Sequence, residues 1–165
     1  MHTQRIGVSV DEPIREVARE ERNMTRQQAK FERMRQELRT HHETFIDAHV
    51  NNKPEVLIQD LAEDYVNVSR GALMRTTKQE MLERFTSYLG STEFSEYSMP
   101  EEPEIGFSDD GSIAWSIFRL HVAATWRQPD AEDVNYEDTW ACLMLFRRAG
   151  DRWIRIAEAS NRVPR

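Results

Sequence analysis

The sequence predicts an α+β fold in which three helices precede a strongly bent antiparallel sheet. In the first half of the chain, apolar residues recur at three- and four-residue intervals, as on one side of an amphipathic helix. Beyond Gly90, apolar and polar residues alternate in runs that are separated by turn residues, a pattern typical of β-strands. We therefore expect the helices to cover one face of a sheet of about four to six strands.

Composition and charge limit the partners of this chain. It has 29 acidic and 22 basic residues and a net charge of −7, which repels polyanions, so no nucleic-acid partner is expected. No apolar stretch has the length of a membrane span or of a signal peptide, so we expect a cytoplasmic protein with no membrane contact. The single cysteine, Cys142, lies in an apolar run and is expected to be a buried thiol.

The charge pattern near the N-terminus predicts that the chain divides into two parts. Residues 1–24 are densely charged and are expected to form an arm or an extra helix, whereas residues 25–165 form the main domain. Thr25 and Gln28 have the spacing of a capping box, which predicts the start of a long amphipathic helix ending near Asn52.

Turn and capping residues define the next elements. Pro54 is suited to open a short second helix, and alternation then predicts a first strand over residues 61–69. Thr77 and Glu80 predict the cap of a third helix, which Gly90 ends. Everything beyond is strand and turn, and the last three strands are joined by short turns into an antiparallel meander.

Three segments, LAEDYVNVSRG, GSIAWSIFRLHV and GDRWIRIAEAS, occur in this order after the helical region. Together with the order of elements they resemble the nuclear transport factor 2-like superfamily and, within it, the SnoaL-like domains. The resemblance implies a cone-shaped α+β barrel, open at one end, with a bent sheet around the long helix and homodimers formed through the outer sheet face. Because this scaffold carries several enzymes and many non-catalytic binding modules, the resemblance implies a fold and not a reaction.

The strand over residues 113–126 is apolar on both faces, which suits a strand between a pocket and a dimer interface. Pairing this strand with the next one about a turn near Asp130 predicts which side chains share the concave face. Those expected to line a pocket for a small organic molecule are Trp115, Ile117, Arg119, His121, Asp138, Trp140, Cys142, Met144, Ile156, Glu158 and Ser160. Those expected on the dimer face are Ala114, Phe118, Leu120, Val122, Thr139, Leu143 and Leu145. A register error of one residue would exchange the two sets.

Two pairs within the pocket set carry possible chemistry. His121 and Asp138 are suited to act as a general acid–base pair, although a solvated histidine at the cone mouth is an alternative. Arg119 and Glu158 are suited to hold a carboxylate or an enolate, or to form a buried ion pair that closes the pocket.

The remaining candidates are aromatic and imidazole side chains. Trp115 and Trp140 either stack on a flat ligand or fill the core. His41 and His42 fit the polar side of the long helix and lack zinc-site spacing, so neither a metal nor a cofactor is expected.

The sequence leaves three functions open. The first is binding of a small organic molecule without catalysis, the second a lyase or isomerase that uses His121 and Asp138, and the third a non-catalytic dimerisation or assembly module. Two enzymes of the resembled superfamily show which specific activities do not fit this sequence. A ketosteroid isomerase would need a carboxylate, a tyrosine and an aspartic acid where this chain has Ser69, Phe45 and Cys142.

Limonene epoxide hydrolase offers a further comparison within the resembled superfamily. Its Asp–Arg–Asp arrangement is matched in charge by Asp138, Arg119 and Glu158, but not in spacing. Neither of these two specific activities is therefore expected.

Overall fold

Helix α1 dominates the N-terminal part of the computed structural model, which describes residues 11–162. The chain divides into two compact units with a boundary between Gln36 and Glu37, and α1 runs over Asp11–Val50. The predicted helix start at Thr25 is wrong, because Thr25 lies inside α1 and its Oγ1 donates a hydrogen bond of 2.9 Å to the Glu21 carbonyl oxygen. Residues 1–10 of the predicted arm and residues 163–165 lie outside the described residues, and the domain division at residue 24 stays a prediction.

Two further helices begin where their capping residues predict. Helix α2 is a single turn, Pro54–Leu57, with the proline at its start. Helix α3, Lys78–Gly90, begins with a capping box in which the Thr77 side chain accepts from the Glu80 amide and the Glu80 carboxylate accepts from the Thr77 amide.

The sheet is bent, open and mixed. Its strands are β1 (Leu61–Ser69), β2 (Ala72–Thr76), β3 (Thr92–Ser98), β4 (Glu104–Phe107), β5 (Ile113–Trp126), β6 (Val134–Ala149) and β7 (Arg152–Arg162). Their spatial order is β2-β1-β7-β6-β5-β3, and β4 pairs with β5 beyond β3. The sheet has 7 strands, more than predicted, and the expected all-antiparallel pairing is wrong at one place, because β1 and β7 run parallel. These two strands are far apart in sequence, and the long connection allows the parallel arrangement.

The register between β5 and β6 decides which side chains face inward. Phe118 lies opposite Cys142 and Val122 opposite Asp138, so even-numbered residues of both strands share one face. That inner face packs on the part of α1 that follows Glu37. The ring of Phe118 meets the ring of His42 edge to face, with centroids 4.8 Å apart.

Two adjacent histidines of α1 belong to the packed side of the helix, contrary to the prediction. His42 is buried, and its Nε2 lies 2.6 Å from Ser116 Oγ. The ring of His41 packs edge to face against Phe146, and its Nε2 lies 3.5 Å from Asp60 Oδ2. The reason is helical spacing, since a four-residue step from the buried Leu38 brings His42 onto the same side.

The last strand contains a β-bulge. Phe146 lies opposite Arg155 whereas Leu145 lies opposite Ala157, so Ile156 is an extra residue in β7. The bulge shifts the alternation of the strand by one residue at this point.

Candidate functional site

A two-part cavity opens between α3 and the inner face of the sheet. Its outer part, which we call the mouth chamber, has a volume of about 940 Å³. It is lined by Asn67, Ser69, Arg70, Ala72, Met74, Arg84, Tyr88, Thr92, Tyr97, Leu120, Val122, Trp126, Val134, Tyr136, Asp138, Trp140, Cys142, Glu158, Ser160 and Arg162. The deeper part, the inner chamber, has a volume of about 180 Å³. It is lined by Phe45, His49, Tyr65, Asn67, Met81, Arg84, Phe85, Tyr97, Phe118, Leu120, Cys142, Met144 and Glu158. The chambers are contiguous, since both are bounded by Asn67, Arg84, Tyr97, Leu120, Cys142 and Glu158.

Glu158 stands at the junction of the two chambers. Its Oε2 accepts hydrogen bonds from the Tyr65 hydroxyl at 3.0 Å and from Arg155 Nη1 at 3.3 Å. Among the described residues, nothing donates to its other oxygen, Oε1. One carboxylate oxygen is therefore held in place, and the other is available to a molecule in the cavity.

Arg155 holds Glu158 from behind the cavity wall. Its side chain is 1% exposed, and its Nη2 donates to the Leu57 carbonyl oxygen at 2.9 Å. Its Nε lies 3.3 Å from Asp60 Oδ2, and the guanidinium also packs over the ring of Phe45. A buried arginine needs paired charges, and Asp60 and Glu158 provide them.

His49 and Tyr97 form an aromatic wall of the inner chamber. Their rings stack with centroids 4.4 Å apart, and His49 Nδ1 donates to the Phe45 carbonyl oxygen at 2.8 Å. Burial lowers the pKa of His49 to about 4, so the ring is neutral near pH 7 and its Nε2 is an acceptor. Burial also raises the pKa of Tyr97 well above its ordinary value, so its hydroxyl remains a donor.

Cys142 lines both chambers and is buried, as its apolar sequence context predicts. Burial, reinforced by the nearby Glu158 carboxylate, raises the pKa of the Cys142 thiol to about 12. The thiol is therefore protonated near neutral pH and is a weak nucleophile.

Arginine side chains surround Trp140 at the mouth chamber. The guanidinium groups of Arg70 and Arg162 lie over its indole ring, 5.3 Å and 5.5 Å from the ring centroid. Arg162 also donates through Nη1 to Asp138 Oδ2 at 2.6 Å. Trp140 thus faces the cavity, with two cations packed against it.

Part of the predicted pocket set lies on the cavity wall. Asp138, Trp140, Cys142, Met144, Glu158 and Ser160 all line one chamber or both. Ile156 does not, because it is the extra residue of the bulge. The functional roles assigned to the lining residues stay predictions.

The predicted facing of β5 is wrong, and Trp115, Ile117, Arg119 and His121 lie on the outer face. Arg119 is 62% exposed, and its Nη1 lies 3.1 Å from Glu101 Oε1, so it does not meet Glu158. Trp115 lies against Gly106 of β4, where an added Cβ would collide with the indole ring. Ile117 is 46% exposed.

His121 is separated from Asp138 by the sheet. It lies opposite Thr139, whose Oγ1 is 3.3 Å from His121 Nδ1. Its Nε2 lies 3.6 Å from Glu96 Oε2 and 3.7 Å from Glu137 Oε1. The predicted acid–base pair of His121 and Asp138 is therefore not assembled.

Because the facing of β5 is reversed, the predicted dimer face is wrong for its β5 residues. Of the residues expected on the outer face, those of β5 face inward: Ala114, Phe118, Leu120 and Val122, all of which are buried. Those of β6 keep the predicted outer position: Thr139, Leu143 and Leu145.

Three residues that line the cavity, His49, Tyr65 and Tyr97, were not singled out as site residues from the sequence, and neither was Arg155 behind the cavity wall. Of these, Arg155 carries the clearest signal in the sequence, because it is a charged residue between Ile154 and Ile156 in an apolar run. Among the described residues, no group of three or more His, Cys, Asp or Glu side chains is placed to hold a metal ion. Within residues 11–162, no helix is both long enough and apolar enough to cross a membrane.

Solved structures share this fold, whereas no protein-family model and no curated protein matches the sequence. A nuclear transport factor 2-like superfamily protein from Salmonella enterica has 14% identity and a TM-score of 0.66, over 82% of this chain and 94% of that one. A nuclear transport factor 2-like protein from Rhodospirillum rubrum has 18% identity and a TM-score of 0.61, over 77% and 98%.

A third solved structure, a ketosteroid isomerase-like protein from Erwinia carotovora, has 15% identity and a TM-score of 0.61, over 78% of this chain and 95% of that one. At such identities the likeness shows the fold. The predicted resemblance is thereby confirmed for the fold, and the narrower SnoaL-like assignment stays a prediction.

Proposed function

We propose that this protein, which has the nuclear transport factor 2-like fold, binds a small organic molecule in the mouth and inner chambers. The observation that carries the proposal is the cavity itself, with about 940 Å³ in the mouth chamber and a further 180 Å³ behind it. Ligand sites in proteins are typically clefts of roughly 300–1,000 Å³ with apolar walls and a few placed polar groups.

The lining of the inner chamber indicates the kind of molecule that fits. Apolar side chains such as Phe45, Phe118 and Met144 favour an apolar or aromatic body. Glu158 Oε1 and His49 Nε2 are acceptors, so a hydroxyl or amine donor on that body would satisfy them. We therefore expect a largely apolar molecule with at least one donor.

Blocking the cavity tests the proposal. A fragment library is screened by saturation-transfer NMR against the wild type and against Leu120→Trp, because Leu120 lines both chambers. Arg119→Trp is the matched control, since it places the same ring one residue earlier on the exposed outer face. We expect fragments that bind the wild type and the control but not Leu120→Trp. Equal binding to a folded Leu120→Trp, or no binding fragment at all, would contradict the proposal.

A lyase or isomerase activity is the second candidate, and the geometry of Glu158 favours it. A carboxylate with one oxygen held by Tyr65 and Arg155 and the other open to the cavity is arranged as a general base is. Such chemistry would take place at Glu158 and not at His121, which lies on the opposite face of the sheet.

Glu158→Gln separates the two candidates, because the variant keeps the side-chain size and removes the base. Each fragment that binds is incubated with protein and followed by NMR for conversion. Turnover by the wild type that is lost in Glu158→Gln, with binding retained, supports an enzyme. Binding without conversion in either protein supports a binding module.

Homodimer formation through the outer sheet face is the third part of the proposal. It is supported by apolar side chains exposed on that face, since Ile117 and Leu143 lie opposite each other and are 46% and 42% exposed. Val68 on β1 is 38% exposed as well. Contiguous apolar surface of this kind on a folded domain commonly marks an interface.

A further inference from the structure

We propose that the ligand of this cavity is an amphipathic organic acid whose anionic group is held by Arg70 and Arg84 at the mouth chamber. This inference rests on the proposed binding function and adds the chemical class of the ligand. It follows from the arrangement of charges around the cavity.

The acidic groups of the cavity wall already have cationic partners. Asp138 accepts from Arg162 at 2.6 Å, and Glu158 accepts from Arg155 at 3.3 Å. Asp138 is therefore paired at the mouth chamber. Glu158 shares Arg155 with Asp60, and at the junction of the chambers its Oε1 stays open to a donor on the body of the ligand.

Arg70 and Arg84 line the mouth chamber, and neither forms a hydrogen-bonded ion pair with another described residue. Glu80, one turn before Arg84 on α3, interacts with it electrostatically, but the Glu80 carboxylate is bound by the amide and hydroxyl of Thr77. The guanidinium of Arg70 lies over the Trp140 ring, and Arg84 Nη1 lies 3.4 Å from the thioether sulfur of Met74. Both groups keep hydrogen-bond donors for an incoming anion, because neither an aromatic ring nor a thioether neutralises a charge. A cationic mouth in a chain of net charge −7 favours an anionic ligand.

Exposed apolar side chains line the same chamber as these cations. Trp126 and Val134, opposite each other at the ends of β5 and β6, are 47% and 43% exposed and line the same chamber. The buried Leu120 and Val122 continue this apolar wall inward. A molecule with an apolar body and one anionic end would cover the apolar wall and pair the arginines at the same time.

Isothermal titration calorimetry with head-group analogues tests the inference. The probes are 4-phenylbutyrate, 4-phenylbutyl phosphate, 4-phenylbutanol and 4-phenylbutylamine, which share one apolar body. We expect either anion to bind more tightly than the alcohol and the amine, and its affinity to fall as salt is added. The tighter of the two anions distinguishes a carboxylate ligand from a phosphate ester.

Arginine variants locate the anion. Arg84→Gln and Arg70→Gln are each expected to weaken binding of the anionic probe by roughly tenfold and to leave the affinity for 4-phenylbutanol unchanged. Arg75→Gln is the matched control, because Arg75 is exposed on β2 and does not line the cavity.

Three outcomes would overturn the inference. One is equal affinity for the alcohol and the acid, and another is an equal loss in the Arg75→Gln control. The third is failure of all four probes while other fragments bind the wild type. None of these outcomes decides whether the cavity binds a ligand at all, because that question is tested separately by the fragment screen with Leu120→Trp.

Discussion

Arg155 Nη1 lies 3.3 Å from Glu158 Oε2, although the two residues are three apart on one strand. In a regular strand, residues three apart point to opposite faces. The bulge at Ile156 removes this alternation once, so both side chains turn toward the inside. The carboxylate at the junction of the two chambers is thereby held by a cation from its own strand.

Removing that cation is expected to destabilise the protein. Arg155→Met leaves Asp60 and Glu158 without their buried partner, and breaking a buried pair in this way costs about 3–5 kcal/mol. The measurement is the free energy of unfolding in urea, at fixed protein concentration because a dimer shifts its apparent stability with concentration.

Arg119→Ala is the control for that prediction. Arg119 is 62% exposed and pairs with the exposed Glu101, so its removal should change the free energy of unfolding by less than about 1 kcal/mol. A large loss for Arg119→Ala together with a small one for Arg155→Met would mean that the sheet faces are assigned the wrong way round.

Local signals in the sequence were sufficient for most of the fold. The Thr77 capping box, Pro54 at the start of α2 and the strand over residues 61–69 all lie where the sequence predicts them. These features depend on neighbouring residues only. The predicted helix start at Thr25 was wrong because the Thr25 hydroxyl can bond to the carbonyl one turn earlier within a continuing helix. The same spacing therefore also fits a helix interior.

The facing of β5 relative to β6 was predicted wrongly, because two apolar faces leave the choice to the exact centre of the hairpin turn. Phe118 and Leu120 on the inner face are matched by Trp115 and Ile117 on the outer face, so alternation contains no information on which side is buried. In the structure the loop of residues 127–133 is centred on Asp130, as predicted, and a turn centred there places Val122 and not His121 opposite Asp138. The predicted pairing of odd-numbered β5 residues with even-numbered β6 residues is therefore off by one residue.

The role of Arg155 as the partner of Glu158 could not be predicted from the sequence for a different reason. A bulge is an irregularity of pairing, and nothing in the composition of β7 marks Ile156 as its extra residue. The sequence therefore predicts Arg119 of β5 as the partner of Glu158, whereas in the structure the partner is Arg155 of β7.

The buried histidines predict a loss of stability in mild acid. Burial lowers the pKa of His42 to about 3 and the pKa values of His41 and His49 to about 4, whereas all three titrate near 6.5 when unfolded. Below about pH 6.5 the unfolded chain binds more protons than the folded one, so the free energy of unfolding falls as the pH falls toward 4. Each histidine contributes a slope of up to about 1.4 kcal/mol per pH unit in this range and none well above about pH 7.

His49→Gln isolates one of these contributions. Urea unfolding of the variant and the wild type is compared between about pH 5 and 7, where the slope for the variant should be shallower by up to about 1.4 kcal/mol per pH unit. Parallel curves for the two proteins would mean that the pKa of His49 is the same in the folded and the unfolded chain, which would contradict this prediction.

The exposed apolar residues of the outer sheet face predict a dimer, and we expect a single charged substitution on that face to disrupt it. Leu143→Glu places a carboxylate in the centre of the exposed apolar surface, opposite Ile117, where dimer formation would bury it without a partner. Light scattering at micromolar concentration should give the mass of two chains for the wild type and of one chain for the variant. Thr86→Glu, on the exposed side of α3, should remain dimeric. A wild-type mass of one chain would contradict the predicted interface.

Cys142 reports directly on the central claim that the cavity holds a ligand, because this single cysteine lines both chambers. The rate of its modification by methyl methanethiosulfonate is measured with and without a fragment from the NMR screen. At a fragment concentration of about ten times its Kd, modification should be roughly tenfold slower, since only the free protein reacts. In Ser112→Cys with Cys142→Ala, which moves the thiol to an exposed turn, the fragment should leave the rate unchanged. Equal rates at Cys142 with and without bound fragment would contradict the account.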